Sequence, residues 1–166
     1  MIKIEKISLK DLQRIIELAE KTWEPTYKEI LSKEQLIYMF EMMYSEDVLR
    51  NRMLNGNDFY ISKINQIDVG FLETVKNDEY KLYISKIYVD PNYQKKGIGK
   101  YLIEFLEKKA ISMKFKSLKL NVNRYNPAQH FYTRIGFRIE KQIDIEIGNG
   151  YLMEDYIMEK ELLENK

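Results

Sequence analysis

Ile87-Tyr88-Val89-Asp90-Pro91-Asn92-Tyr93-Gln94-Lys95-Lys96-Gly97-Ile98-Gly99-Lys100 is the stretch on which the fold turns. A strand-like run ends at Pro91, a short polar loop follows, and two glycines stand where a helical pattern begins. Glycine lets the backbone take positive φ and come close to a ligand, and the free N–H groups of a helix start point outward. With the helix dipole behind it, such a start is an anion site. Lys95, Lys96 and Lys100 add positive charge around it. Two familiar phosphate loops fail here. A P-loop needs a Gly ahead of its Gly-Lys pair, which Asp90 to Asn92 do not supply, and Ser or Thr at 101, where Tyr stands. A Rossmann fingerprint needs a third Gly at 102, which is Leu. What remains is Gln-x-x-Gly-x-Gly behind a strand and a Val-x-Pro.

Upstream of this loop, Phe59–Ile64, Val69–Val75 and Tyr80–Val89, with turns near Asn65 and at Asn77-Asp78, predict an antiparallel meander. Before it, Ile2 to Ile7 alternates apolar and charged residues as a short strand. Ser8 with Asp11 predicts a capped helix carrying Leu12, Ile15, Ile16 and Ala19 on one face and ending at Pro25. Ser32 with Gln35 opens a second helix through Met43, and Ser45 caps a third ending near Gly56. Downstream, Gly97 to about Met113 reads as a helix with Ile98, Leu102, Phe105 and Leu106 facing in and Glu104 paired with Lys108. A strand at Leu118–Val122, a short helix after Asn126-Pro127 and a hairpin turning at Gly148-Asn149-Gly150 complete the chain. The order is β, two or three helices, βββ, α, β, α, ββ. That predicts a mixed α/β (α+β) fold, neither a bundle nor a regular βαβ repeat.

The chain has 166 residues and 20.0 kDa, with 45% apolar and 32% charged residues, the size and composition of one folded domain over 1–166. It holds no cysteine and one histidine, His130, which excludes disulfides, a thiolate nucleophile and a multi-histidine zinc site. No metal is expected. The longest apolar run, Leu36 to Phe40, is too short to cross a bilayer, and Met1 to Lys6 carries no signal-peptide pattern. A cytoplasmic protein without membrane contact is expected. The net charge of +1 hides a pattern: residues 1–80 carry −4, 81–124 carry +8 and 138–166 carry −4. A basic middle between acidic ends suits an anionic ligand at the centre with a cationic one nearby; a solvated lysine-rich helix is the plain alternative. Nucleic acid is not expected, since the acidic flanks would repel phosphate.

The pattern Gln94-x-x-Gly97-x-Gly99 resembles the pyrophosphate loop of the GNAT superfamily of acetyl-CoA-dependent N-acetyltransferases. A second block agrees: Leu120-x-Val122-Asn123, Asn126, Ala128, Phe131-Tyr132 and Gly136-Phe137. The resemblance implies the GNAT acyltransferase fold: a mostly antiparallel sheet of six to seven strands flanked by helices and splayed at the acetyl-CoA site. It also implies acetyl-CoA as co-substrate, its pyrophosphate on the amides of Gln94, Lys95, Lys96, Gly97, Ile98, Gly99 and Lys100. Its pantetheine arm is then expected on Ile87, Tyr88 and Val89, with a further hydrogen bond to Asn126. As a plain Asn-Pro cap, Asn126 would need no ligand. Tyr132 matches the family's general acid; a phenol stays protonated at neutral pH and suits a thiolate leaving group. A core tyrosine is the alternative. His130 lies two residues away and points to another face of the helix.

Family members often place a glutamate on the strand before the loop, and here that strand offers Tyr83, Ser85 and Lys86. The base stays open among Glu73, Glu154 and Asp155. Acceptor choice in the family resides in the first helices and the last hairpin, which here are aromatic and acidic. Trp23, Tyr27, Glu73, Glu154 and Asp155 are therefore the candidate amine-binding residues, and a cationic small-molecule amine suits them. Gln-Lys before the loop glycines and Ile157-Met158-x-Lys160 further resemble PaiA-type polyamine acetyltransferases. A peptide or protein acceptor, or an acetyl-CoA-binding module without catalysis, stays open, as does a homodimer.

Overall fold

Serine hydroxyls start two of the three helices of the N-terminal half. In the computed structural model, which describes residues 1–163, Ser32 Oγ accepts from the Gln35 amide at 3.1 Å and Ser45 Oγ from that of Val48 at 3.4 Å. These caps open α2 (Lys33–Tyr44) and α3 (Glu46–Leu54), as the spacing predicts. Ser8 starts a 3-10 turn, Leu9–Asp11, whose Asp11 carboxylate accepts from the Ser8 amide; α1 (Leu12–Tyr27) follows it. Pro25 does not end α1. It stands in the exposed last turn, where the N–H it lacks is a small loss, and Lys28 N–H still reaches the Glu24 carbonyl at 2.9 Å.

The strands are β1 (Ile2–Lys6), β2 (Asp58–Ile64), β3 (Ile67–Val75), β4 (Lys81–Val89), β5 (Ser117–Asn123), β6 (Arg138–Glu146) and β7 (Leu152–Glu161). α4 (Ile98–Ser112) follows the glycine loop and α5 (Ala128–Arg134) follows Asn126-Pro127. The sheet order is β1-β2-β3-β4-β5-β7-β6, with β1–β2, β2–β3, β5–β7 and β6–β7 antiparallel and β4–β5 parallel. The seven strands and their helices are the mixed α/β fold that the element order predicts. Asn65 and Gln66, both at positive φ, turn β2 into β3.

The described residues form two compact units, residues 1–75 with 85–105 and residues 76–84 with 106 onward, so β4 and α4 each contribute to both. The first unit buries Ile15, Ala19, Phe59, Ile61 and Phe71 completely; the second does the same with Leu106, Ala110, Leu118 and Met158. In the second unit the parallel β4–β5 register runs from Lys81↔Ser117 to Ile84↔Leu120 and stops there. β4 continues for five residues beyond that point, through the Ile87-Tyr88-Val89 stretch. On α4, Ile98, Leu102 and Leu106 are buried as predicted, whereas Glu104 lies 3.9 Å from Lys100 instead of pairing with Lys108.

Candidate active site

In the first unit the loop after β4 is built from the backbone outward. The Asp90 amide donates to the Val69 carbonyl at 2.8 Å, and its carboxylate accepts from the Asn92 amide at 2.9 Å, starting a 3-10 turn, Pro91–Tyr93. Gln94 then folds back, its Nε2 donating to the Val89 carbonyl at 3.2 Å. Lys95 (φ 61) and Gly97 (φ 81) adopt the left-handed conformation that only glycine takes without penalty. Tyr101 N–H bonds the Gly97 carbonyl at 3.0 Å as the first α4 amide to find a helical partner, so the amides of Ile98, Gly99 and Lys100 lie in the open first turn. Buried Ile98 anchors that turn, while Lys95, Lys96 and Lys100 are exposed. Lys96 Nζ sits 5.2 Å from the Tyr93 ring. Successive outward amides ringed by lysines fit a doubly charged pyrophosphate.

The same unit joins Tyr27 to Tyr88, hydroxyl to hydroxyl, at 2.8 Å. Trp23 packs 4.5 Å from the Tyr27 ring and 6.4 Å from that of Tyr88. Its indole N–H donates to the Leu36 carbonyl at 3.1 Å and the side chain is buried, so Trp23 is a core residue and not an amine-facing one. Glu73 likewise departs from the expected role. It is fully buried, and its oxygens accept from Lys86 Nζ at 2.6 Å, Arg52 Nε at 2.6 Å and Asn57 Nδ2 at 2.9 Å. Arg52 also donates to Ser85 Oγ at 2.9 Å. Burial alone would raise the Glu73 carboxyl, but Lys86 and Arg52 outweigh it and hold the group below its usual range. With three donors on its oxygens and its proton affinity lowered, Glu73 is unsuited to accept a proton from an amine. Sequence reasoning missed Arg52 as its partner, although a lysine at 86, in phase with buried Leu82 and Ile84, signals a buried cation in need of an acid.

The second unit holds the other candidates. Asn126 Oδ1 accepts from the Ala128 amide at 2.9 Å, a cap for α5, and Nδ2 has no partner among the described residues. Tyr132 is 7% exposed, its ring 5.3 Å from Phe131 and 5.7 Å from Phe137. His130 is exposed, as expected of its face. Glu154 lies 3.6 Å from Arg124. Asp155 is buried, and Asn121 Nδ2 approaches its carboxylate at 3.5 Å.

Comparison with known proteins identifies the family. The family model described as Acetyltransferase (GNAT) domain matches residues 27–159. A spermidine N(1)-acetyltransferase from Thermoplasma acidophilum is 30% identical over 159 residues, covering 92% of this chain and 96% of the relative. The crystal structure of a PaiA N-acetyltransferase from the same organism, in complex with coenzyme A, superposes with a TM-score of 0.82 at 30% identity, over 97% of this chain and 99% of that one. The ribosomal-protein-S18-alanine N-acetyltransferase of Escherichia coli shares the fold at 19% identity, with a TM-score of 0.74 over 100% and 97% of the two chains.

Proposed function

The chain belongs to the GNAT acetyltransferases, using acetyl-CoA, and from that premise we propose that its acceptor is a primary amine of a small, polyamine-like cation. The observation that carries the acceptor class is the 30% likeness, over nearly the whole of both chains, to a spermidine acetyltransferase. When bound, acetyl-CoA supplies the activated thioester. Everything else falls to the chain's own residues.

The amides of Lys95 to Lys100 hold the pyrophosphate, with Gln94 fixing the loop through the Val89 carbonyl. Ile87, Tyr88 and Val89 lie on the part of β4 beyond its pairing with β5, where strand backbone is available to orient an extended arm. Orientation of this kind supplies a large share of the rate in a direct transfer. Asn126 Nδ2 adds a donor. The Tyr132 hydroxyl gives its proton to the departing sulfur; a phenol of ordinary pKa about 10 is protonated at neutral pH and close in acidity to a thiol. In the first unit Tyr27, tied to Tyr88 by its hydroxyl, is the aromatic residue proposed to contact the amine.

The test is thiol release from acetyl-CoA across polyamines, amino acids, aminoglycosides and short peptides, with Tyr132→Phe alongside. Polyamines are expected to drive turnover, and the Phe variant to lose about 10²-fold in kcat while still binding coenzyme A. Phe keeps the ring contacts to Phe131 and Phe137, so its Tm should stay within about 2 °C of the parent. Acetylation of peptides with no small amine active would move the assignment to a protein acceptor. Coenzyme A binding without turnover of any amine would make the chain a binding module.

A further inference from the structure

Asp155 is the one among the three open carboxylates whose surroundings leave it in need of a partner. Glu73 is held by Lys86, Arg52 and Asn57. Glu154, 43% exposed at its side chain, shares the Arg124 guanidinium. Asp155 is 3% exposed, and among the described residues its carboxylate has one hydrogen bond, the 3.5 Å approach of Asn121 Nδ2. That is the outer limit of such a bond. Arg124, the charged side chain beside it, is committed elsewhere. Its guanidinium donates to Asp144 at 2.7 Å and to the backbone carbonyls of Ile143 and Asp155, and lies 3.6 Å from Glu154. Opposite Asp155 in the sheet stand Asn123 on β5 and Ile143 on β6, neither of them a cation. A buried carboxylate held by one long hydrogen bond and a cation shared with other partners is costly, and a group of that kind calls for a role, a catalytic or binding one among them.

A ligand has somewhere to lie. Within the second unit, Asp78, Lys81, Tyr83, Lys119, Asn121 and Ile157 line an open groove of about 290 Å³ beside Asn77, in which Asp78 faces both lysines and Lys81 also pairs with Glu159 at 3.2 Å. Strand alternation puts Asp155 on the same side of β7 as Ile157, and Asn121 belongs both to the groove wall and to the carboxylate's one hydrogen bond. We propose that Asp155 receives the acceptor amine, its carboxylate pairing with the ammonium and taking the proton that must leave before the nitrogen can attack. This rests on the acetyltransferase reading above. The ammonium gives one proton to Asp155; the freed lone pair forms the N–C bond to the acyl carbon as the C–S bond breaks. Tyr132 protonates the leaving sulfur, and the second proton lost as the amide forms restores Tyr132. Asp155 returns its own proton to solvent. Burial raises the Asp155 carboxyl above its ordinary value against the opposing pull of Asn121 and Arg124, the direction that increases its affinity for a proton.

The experiment compares wild type, Asp155→Asn and Asn121→Leu with spermidine as acceptor, from about pH 6 to about pH 10. Asp155→Asn is expected to lower kcat/KM by about 10²-fold or more at neutral pH, the deficit shrinking as pH nears the amine's own pKa and solvent supplies the free base. Asn121→Leu, which removes a donor to the carboxylate, should move the acid limb of the wild-type profile to higher pH. Without any substrate, Asp155→Asn should melt higher than wild type by about 2–4 °C, because it removes a poorly compensated buried charge. A residue held only for structure would behave in the opposite way. An Asn variant within threefold of wild type throughout, one whose loss is equal at every pH, or one that melts lower or fails to fold would overturn the proposal. If wild type binds coenzyme A yet acetylates no amine, the acetyltransferase reading itself fails, and the proposal with it.

Discussion

At the scale of single residues, the strongest commitment in the first unit is the ion pair of Glu73 and Lys86, both buried, with Arg52 as a second cation. Taking one carboxylate and two cations out of water is repaid only while all remain together, and removal of the shared anion strands both cations. Glu73→Gln is therefore expected to destabilise the protein by about 3 kcal/mol, seen as a lower urea midpoint. Lys86→Met should cost less, about 1–2 kcal/mol, because Arg52 and Asn57 still satisfy the carboxylate that remains. Equal losses in the two variants would mean that Arg52 does not share the charge. The sequence shows half of this. Lys86 stands in phase with Leu82 and Ile84 and so announces a buried cation, but nothing in residue spacing links it to Glu73, Arg52 and Asn57, which come from three other segments. The same blindness made Glu73 a candidate base, since a carboxylate looks available until the groups that donate to it are placed. Trp23 was open for a parallel reason: its partner is a backbone carbonyl, and backbone groups have no signature in sequence.

At the scale of elements, what was legible was what local chemistry decides. Ser32, Ser45 and the Asn65-Gln66 turn act within a few residues of themselves, and the structure places them where the spacing does. Pro25 misled because its effect depends on how much helix lies beyond it, which is a question of packing. The approach of β3 to the end of β4 belongs to the same hidden class. A Cβ on Gly70 would lie 2.8 Å from Ser62 Oγ and 2.9 Å from the Tyr88 carbonyl, and the second of these is backbone that cannot swing away. Gly70→Ala must therefore push the Tyr88-Val89 stretch that leads into the glycine loop. Expected are a loss of about 2 kcal/mol in stability and a coenzyme A affinity weakened about tenfold, the first read by urea unfolding and the second by calorimetry. Gly97→Ala separates the two readouts. Its Cβ meets nothing within 4 Å, so only the left-handed φ is penalised, by about 1 kcal/mol, and the effect falls on the loop amides. If Gly70→Ala leaves coenzyme A affinity unchanged, the contact with Tyr88 does not govern the loop.

At the scale of the whole molecule, the acidic and basic blocks of the sequence resolve into groups that push stability in opposite directions with pH. Glu73 titrates below its unfolded value near 4.5, so its contribution is in place above that pH and is lost as pH falls through the folded value. Burial by itself would raise the Glu159 carboxyl, but Ser117 and Lys81 hold it low, and it acts in the same sense. Asp155 acts in the other. Its folded value lies above the unfolded value near 3.8, so what it contributes is present in acid and lost as pH rises through the folded value, leaving a charge that burial disfavours at neutral pH. Wild type thus gives up part of the stability that its other carboxylates supply, and does so at the residue proposed to receive the amine. Calorimetry of wild type and Asp155→Asn, both without ligand, should show the melting advantage of the variant at its largest near pH 7 and falling toward zero as pH is lowered to about 3.8. Wild type should meanwhile lose stability as pH falls below about 4.5, where the unfolded chain takes up a proton that folded Glu73 still refuses. A difference between the two proteins that does not change across this range would mean that it arises from packing, and that the buried charge of Asp155 is not its source.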